Sequence, residues 1–444
     1  MSARIPWTFP ATRILSLFIV CVFCLCAALF GQSYVINNAR IVTVSGPVIE
    51  GGSIAIQDGL IADVGKKVAV PAGAKIIDAR GLSVYPGAID LNTRVGLSEI
   101  SSVSATVDTS ELGDFNPHLL AYTAVLPASE HIPVVRANGV TTVVSAPSGG
   151  TLSGQAVLIN LDGWTVEEMA VKKSAGMVLN FPTVTGGFGF GGGGGGGFGA
   201  PRRGYAELKR EYDRKIKELE NLLDEARHYA KATEARTSNA ALPAFDTDLK
   251  LKALVPIVRG ELPLLVNVSR VGDIRNAIDF AEKQKLKVVL IGVRDAGKAI
   301  SVLKDKKIPV VYGPVQALPT HEDDPYDLPY STPGLLAKAG IPFAISTSGE
   351  VGFVRNLLYE AGTAAAFGLS REEALKAITL YPAQILGVSD RLGSIEKGKI
   401  ANLVITDGDL LELRTNVKQV FIAGKPVSLE TRHTRLYEKY LNRP

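Results

Sequence analysis

Two kinds of hydrophobic pattern run along the chain and separate its ends from its middle. Between residues 34 and 77, short β-branched runs alternate with polar positions, which predicts short strands. The pair Asp58-Gly59 lies between two such runs and predicts a two-residue hairpin. The stretches 402–405 and 417–425 have the same character. We therefore expect β-structure at both ends of the chain.

The middle of the chain carries a different pattern, in which apolar runs without alternation are separated by helical periods. The period over 273–281, for example, predicts a helix that follows one of these runs. Continuous apolar strands alternating with helices indicate a parallel sheet covered on both faces, and this many units predicts a (β/α)8 barrel. The runs that we interpret as strands are 140–144, 264–266, 288–291, 310–312 and 343–345.

The N-terminus has the layout of a secretory signal peptide. Arg4 and Arg13 supply positive charge, residues 14–30 are almost wholly apolar, and we expect cleavage between about Ala28 and Gln32. A retained membrane anchor is the alternative, because the apolar run approaches the ~18 residues that a span needs. We expect an exported protein, periplasmic or extracellular, with no membrane contact other than this segment.

Composition narrows the class of protein further. The chain has 444 residues, of which 46% are hydrophobic and 21% charged, as in ordinary globular proteins. Its net charge of +4 is too weak to indicate nucleic acid as a partner. All three cysteines lie within the N-terminal segment, so the mature chain is predicted to have no disulfide and no thiolate chemistry.

A low-complexity insert and a charged helix interrupt the alternating middle. The insert 186–200 contains an unbroken glycine run and three phenylalanines, which is compatible with a flap over a barrel mouth or with a loop that has no role. The stretch 205–231 that follows predicts a helix, and its apolar stripe is typical of packing rather than of a cofactor site.

The segment 84–94 reads Val-Tyr-Pro-Gly-Ala-Ile-Asp-Leu-Asn-Thr-Arg and resembles a motif of the amidohydrolase superfamily, Pro-Gly-x-Ile-Asp-x-His-x-His. The blocks 368–379, 382–387 and 393–404 resemble the same superfamily and are more specific for it. The likeness is closest to the exported, imidazolonepropionase-like branch. It implies a (β/α)8 TIM-type barrel, a small β-sandwich domain built from both chain ends, and a family chemistry of C–N bond hydrolysis with Zn²⁺.

The resemblance also implies a division of the chain into parts. We predict the following ranges: a signal peptide 1–31, a split β-sandwich 32–85 and 394–430, a barrel 86–393 with the Gly-rich insert 186–200, and a C-terminal tail 431–444.

The positions that carry the family's chemistry depart from its pattern. An amide is a poor ligand for a transition metal, and a guanidinium has no lone pair to donate. A hydrolytic zinc needs about three protein ligands, so we expect no metal cofactor here and a catalytically degenerate protein. The residues that stand where the family has its metal ligands and general base are Asn92, Arg94, Asn267, Arg294 and Ser348.

One other cluster combines imidazole and carboxylate groups. His321, Asp323 and Asp324 lie in a loop after a predicted strand, the position where barrel sites are found. They are candidates for an accessory Ca²⁺ or Zn²⁺ site, and a solvated loop is the alternative.

Arg94 has two interpretations. It can pair internally with Asp90, Glu99 or Glu350, because buried charges normally have a partner. Alternatively its guanidinium can bind a ligand that bears a carboxylate, in two-point geometry.

Three classes of function remain open. The first is a catalytically silent binding or partner subunit, in a homo-oligomer or in a mixed oligomer with an active amidohydrolase. The second is an active C–N hydrolase with an atypical or absent metal site. The third is an envelope protein that binds small carboxylate-bearing molecules.

Overall fold

Eight strands form the barrel that the middle of the chain predicts. The computed structural model describes residues 32–184 and 204–443. The strands are paired in chain order, and the last meets the first through a bridge between Thr93 and Gly349. The barrel prediction is confirmed. Its strands are β6 (Ala88–Thr93), β7 (Val140–Ser145), β8 (Leu152–Asn160), β9 (Ala170–Asn180), β10 (Leu264–Asn267), β11 (Val288–Ile291), β12 (Val310–Tyr312) and β13 (Phe343–Ile345).

Helices surround this barrel and link its later strands. Those before β11, β12 and β13 end at Lys285, Lys307 and Gly340, which have φ of 54°, 51° and 69° and turn the chain back towards the sheet. The helices are α1 (His131–Ala137), α2 (Val166–Met169), α3 (Tyr205–Ser238), α4 (Leu249–Val258), α5 (Val271–Gln284), α6 (Ile300–Lys306), α7 (Leu328–Ala339), α8 (Leu357–Ala366), α9 (Arg371–Ala377), α10 (Leu380–Ile385) and α11 (Arg432–Leu441). Short 3₁₀ turns occur at Ser104–Thr106, Ala121–Thr123, Ala296–Lys298 and Val351–Asn356.

The structure departs from a fully parallel barrel at one strand. β8 runs antiparallel to both β7 and β9, so seven strands share one direction. The link from β7 to β8 spans only residues 146–151, which is too short for a crossover helix and long enough for a reversal. The helical period that marks the other units is therefore missing here, and the sequence pattern alone did not predict β8 and β9.

The two faces of the barrel wall are buried against different neighbours. Inside the barrel, Leu91, Val178, Leu265 and Val311 pack together with residues of α10, which close its lower end. The outer face packs against the helices, including Leu219 and its neighbours on α3. This confirms that the apolar stripe of α3 is a packing surface.

Both chain ends build a separate β-domain, as predicted. Its eight strands form one hydrogen-bonded sheet, which folds over so that Leu60 forms a bridge with Ile400. The Asp58-Gly59 hairpin is confirmed, because β2 pairs with β3 across it and both residues have positive φ. The strands are β1 (Tyr34–Ile41), β2 (Ile49–Gln57), β3 (Leu60–Gly65), β4 (Lys75–Asp78), β5 (Ser83–Pro86), β14 (Leu403–Thr406), β15 (Val417–Ile422) and β16 (Lys425–Val427).

Some predicted segments lie outside the described part of the chain. These are the signal segment 1–31 and the Gly-rich insert 186–200, for which the predictions stay predictions. The C-terminal tail contains α11, a helix on the surface. None of the helices in 32–184 and 204–443 is both long enough and apolar enough to cross a membrane.

Closure of the barrel depends on Asp90 of β6, a carboxylate that is fully buried. Ser346 Oγ donates to its Oδ1 at 2.5 Å, and the Thr347 backbone N–H and hydroxyl donate to its Oδ2 at 3.0 and 2.6 Å. The Asn92 backbone N–H donates to Oδ1 at 3.1 Å. Burial raises the pKa of Asp90, and the hydrogen bonds from Ser346 and Thr347 act against that rise. Asp90 therefore joins the first strand of the barrel to the end of the last.

Replacing Asp90 with alanine tests this closure. Asp90→Ala leaves the Ser346 and Thr347 donors buried without an acceptor, so we expect it to lower the free energy of unfolding by about 3–5 kcal/mol. The measurement is urea unfolding followed by circular dichroism. The exposed Asp279→Ala serves as control and should change stability by about 0.5 kcal/mol or less. Equal effects of the two substitutions would contradict the assigned role of Asp90.

Candidate functional site

The mouth of the barrel is lined by a polar layer directly above its apolar interior. Val178, Leu265 and Ala344 belong to the interior cluster. Side chains two positions apart on a strand share a face, so Asn180 and Asn267, and Ser346 just beyond β13, form the next layer at the strands' carboxyl ends. This end of the barrel is where sites of such folds are located.

Asn267 uses its amide to build a network across the mouth. Its Nδ2 donates to Asn180 Oδ1 at 3.2 Å, and Asn180 Nδ2 donates in turn to Ser153 Oγ at 3.0 Å and to the Gly150 carbonyl at 2.8 Å. The Asn267 Oδ1 lies against Gly292, where an added Cβ would be only 2.8 Å away. The amide is therefore held by its neighbours in a neutral network.

Asn92 and Arg94 lie where β6 leaves regular pairing. The register of β6 against β7 shifts between Asp90 and Thr93, and Arg94 follows the last residue of the strand. Both side chains are partly buried. Within residues 32–184 and 204–443, Arg94 forms no ion pair or side-chain hydrogen bond. The expected pairs of Arg94 with Asp90, Glu99 or Glu350 are thus not formed. Asp90 is instead engaged by Ser346 and Thr347, just after β13.

Ser348 has a strained backbone at the end of β13. Its φ of 58° lies in the left-handed region, and its backbone N–H donates to Ser346 Oγ at 3.1 Å. Its own hydroxyl oxygen is buried without a hydrogen-bond partner among the described residues. Non-glycine residues in this conformation cluster at functional positions. A serine hydroxyl cannot act as the carboxylate base that the family has at this position.

Arg294 is directed to the rim rather than to the barrel axis. Its Nη2 donates to the carbonyl of Leu318 at 2.5 Å, which joins the loop after β11 to the loop after β12. Of the five substituted positions, Asn92, Arg94, Asn267 and Ser348 lie at or just beyond the carboxyl ends of β6, β10 and β13. The structure assigns Arg294 to a loop contact.

The cluster around His321 differs in one member from the sequence prediction. Asp324 and His321 are close together, whereas Asp323 is exposed and lies outside the group. Asp295 completes it, with Oδ2 at 3.2 Å from His321 Nε2. Asp295 was not among the residues predicted from the sequence, although its position four residues after the end of β11 was a usable signal for a residue at the mouth end of the barrel.

The residues at the mouth do not fit the zinc that the superfamily implies. Arg94 brings a positive charge to the place of a ligand, and the Asn267 amide is engaged with Asn180. Zinc prefers thiolate, imidazole and carboxylate donors. Asp90, the carboxylate of β6, already accepts four hydrogen bonds and is fully buried.

A second buried carboxyl group holds the loop that follows β12. Glu360 of α8 accepts a hydrogen bond from the Gln316 backbone N–H at 2.8 Å. Burial raises the pKa of Glu360 from 4.5 to about 7, the hydrogen bonds from Gln316 and Val315 oppose this, and the charge of Asp90 adds to it. Glu360 is thus protonated in much of the native protein near neutral pH.

Comparison with known proteins agrees with this architecture. Residues 332–427 match the model of the amidohydrolase family. The amidohydrolase TasK of Hapsidospora irregularis is 24% identical over 422 residues, which cover 86% of this chain and 41% of that protein. The solved structure of an amidohydrolase from Thermotoga maritima MSB8 is 27% identical, with a TM-score of 0.75, over 89% of this chain and 99% of that one.

These matches define a protein of the amidohydrolase type, with a β-domain from both chain ends set on a barrel. The chain has the fold of the amidohydrolase superfamily, and its residues 332–427 match that family's model. An imidazolonepropionase of Flavobacterium johnsoniae is 38% identical over 82 residues, only 18% of this chain. The branch within the superfamily therefore stays a prediction. The chain spans about two fifths of the length of TasK, so activity, substrate and partners are matters for proposal.

The titration of Glu360 predicts how stability depends on pH. Because its pKa is higher in the folded than in the unfolded chain, its contribution is fully present below pH 4.5 and is lost as pH rises through about 7. The loss should be on the order of 3 kcal/mol. In Glu360→Gln the amide oxygen still accepts from Gln316 but does not titrate, so this variant should be the more stable protein at about pH 8. The measurement is urea unfolding of both proteins across this range, and a difference between them that does not vary with pH would contradict the assignment.

Proposed function

We propose that this protein is a catalytically degenerate amidohydrolase, which binds a small carboxylate-bearing molecule at the barrel mouth without hydrolysing it. The observation that supports this most directly is the free guanidinium of Arg94, at a position where the superfamily has a metal ligand. A divalent metal in active relatives gives the mouth a positive charge. Arg94 preserves that charge but offers no electron pair to a metal.

Polar side chains at the ends of other barrel strands supply the remaining parts of the proposed binding site. The amides of Asn180 and Asn267 present both donors and acceptors, which suit the peptide or acyl group of a ligand. A guanidinium binds a carboxylate through two parallel hydrogen bonds. An N-acyl amino acid, which joins an amide to a carboxylate, matches this combination.

Hydrolysis needs parts that these side chains do not provide. In hydrolytic members of the superfamily a metal lowers the pKa of water from about 16 to about 7, and a carboxylate accepts its proton. At this mouth, Asn92, Asn267 and Ser348 are neutral groups that can orient a ligand by hydrogen bonds. The proposal therefore assigns them to binding.

Binding of N-acetylglycine tests the role of Arg94. We expect calorimetry to show saturable binding that weakens by about tenfold or more in Arg94→Met, because a charge-assisted pair is lost. Arg294→Met is the matched control, since Arg294 bonds to the Leu318 carbonyl at the rim and should have little effect. The methyl ester of the same ligand should bind more weakly than the acid.

Two results would contradict this assignment. One is amidase activity in a protein that holds stoichiometric zinc, if chelation removes the zinc and the activity together and variants of the rim residue His321 keep both. That result would establish an active hydrolase. The other is equal affinity for the acid and its methyl ester, which would show that the protein does not recognise the carboxylate. Co-purification with a second amidohydrolase chain, without ligand binding, would instead favour the role of a partner subunit.

Restoring the family's donors tests whether the positions are assigned correctly. We expect the combined variant Asn92→His, Arg94→His, Asn267→His and Ser348→Asp to gain about one equivalent of bound Zn²⁺, because four ligating side chains would then surround one point. Aspartate tolerates the left-handed backbone at position 348 better than most residues.

Equilibrium dialysis against zinc measures the gain. The comparison is made in a His321→Ala background, so that zinc bound at the rim does not contribute. A folded variant that takes up no more zinc than its parent would show that these positions do not converge. Activity is not required for the test, since it also depends on the groups that orient the ligands.

A further inference from the structure

A group of three metal-ligating side chains lies at the rim of the barrel, apart from the mouth residues. Asp295, His321 and Asp324, here called the rim cluster, each offer one ligand atom, and these atoms lie within 4.8 Å of one another. One imidazole nitrogen and two carboxylate oxygens form a donor set that Zn²⁺ and similar ions accept. Loops after two neighbouring strands, β11 and β12, bring the three together.

Backbone hydrogen bonds orient these side chains before any ligand arrives. The Val271 N–H donates to Asp295 Oδ2 at 3.2 Å, and the Asp295 N–H donates to the Ser269 carbonyl at 3.0 Å. In the other loop, the His321 N–H donates to Asp324 Oδ2 at 3.1 Å. Groups that hold ligands in this way raise the affinity of metal sites, because less freedom is lost on binding.

Burial of the two carboxylates creates a demand for positive charge. The Asp295 side chain is 2% exposed and that of Asp324 is 6% exposed. Asp295 accepts at Oδ2 alone, and its Oδ1 has no hydrogen bond from any residue in the described ranges. That oxygen is therefore available as a ligand to a bound cation.

Lys298 neutralises only one of the two carboxylates of the rim cluster. Its Nζ forms an ion pair with Asp324 Oδ1 and does not contact Asp295. With neutral His321, the three acidic and basic groups Asp295, Asp324 and Lys298 sum to −1. The Lys298 side chain is 33% exposed, so its ammonium can move into solvent when another cation binds.

We propose that the rim cluster binds one divalent transition-metal ion of the Zn²⁺ type through Asp295, His321 and Asp324, in competition with Lys298. Three protein ligands leave a coordination position open to water. The site lies between the loops after β11 and β12, and none of its ligands is Asn92, Arg94, Asn267 or Ser348. It does not depend on the function proposed for the mouth.

Zinc affinity of the full chain, measured by competition with a chromogenic chelator, tests this site. The three cysteines of residues 1–31 are first changed to serine, because thiolates bind zinc on their own. We expect one equivalent of zinc, with affinity at least about 100-fold weaker in His321→Ala and in Asp295→Asn. Lys298→Met should bind about tenfold more tightly, because it removes the competing ammonium.

Asp323→Asn is the matched control for the loss of one negative charge. Asp323 belongs to the same loop but is exposed and outside the cluster. The Asp323→Asn variant should therefore bind zinc with the affinity of the parent. Visible absorption of the cobalt-loaded parent gives a second readout, which should disappear in His321→Ala. Circular dichroism of each variant establishes that it is folded.

The opposite results would overturn the proposal. In the first, neither the parent nor Lys298→Met shows saturable zinc binding. In the second, zinc binds, but His321→Ala and Asp295→Asn leave the affinity unchanged. In the first case, His321 and Asp295 would form a simple ion pair. Because the mouth variants Arg94→Met and Asn267→Ala should leave zinc affinity at the rim unchanged, failure of this site and failure of the mouth proposal are distinguishable.

Discussion

The buried carboxylate of Asp90 is the constraint on which the rest of the architecture depends. β6 and β13 meet through one backbone bridge in the described part of the chain, so the closing seam has little main-chain pairing of its own. Asp90 compensates by accepting hydrogen bonds from Ser346 and Thr347. The same contacts determine where the end of β13 lies, and with it the position of Ser348 at the mouth.

Different residues of one short segment support the fold and face the proposed site. Asp90 belongs to the part of the motif that closes the barrel, and it is present. The residues that follow it, Asn92 and Arg94, belong to the part that would hold a metal, and they are replaced. Stability and chemistry are thus carried by different residues of one strand. The fold does not depend on imidazole at positions 92 and 94, and on the function proposed here Arg94 supplies the positive charge that a metal ion supplies in active relatives.

Sequence patterns predicted the strands and helices well wherever local signals were strong. β10, β11, β12 and β13 were recognisable because each is a continuous apolar run followed or preceded by a helical period. The antiparallel strand β8 was not, because its direction depends on the length of a turn and on its neighbours rather than on its own residues. Asn92 and Arg94 were likewise recognisable from one motif, whereas their contacts were not. The expected pair of Arg94 with Asp90 could be excluded only once the contacts of Asp90 with Ser346 and Thr347 were known.

The resemblance to the superfamily and the two-part architecture could be read from the sequence, because they follow from residue types at fixed positions along one chain. Only the tertiary structure decided which side chains meet. It replaced Asp323 with Asp295 beside His321, and it directed Arg294 to the Leu318 carbonyl. The physical reason is that such contacts join loops after different strands, whose separation in space is set by closure of the barrel and not by their distance in sequence.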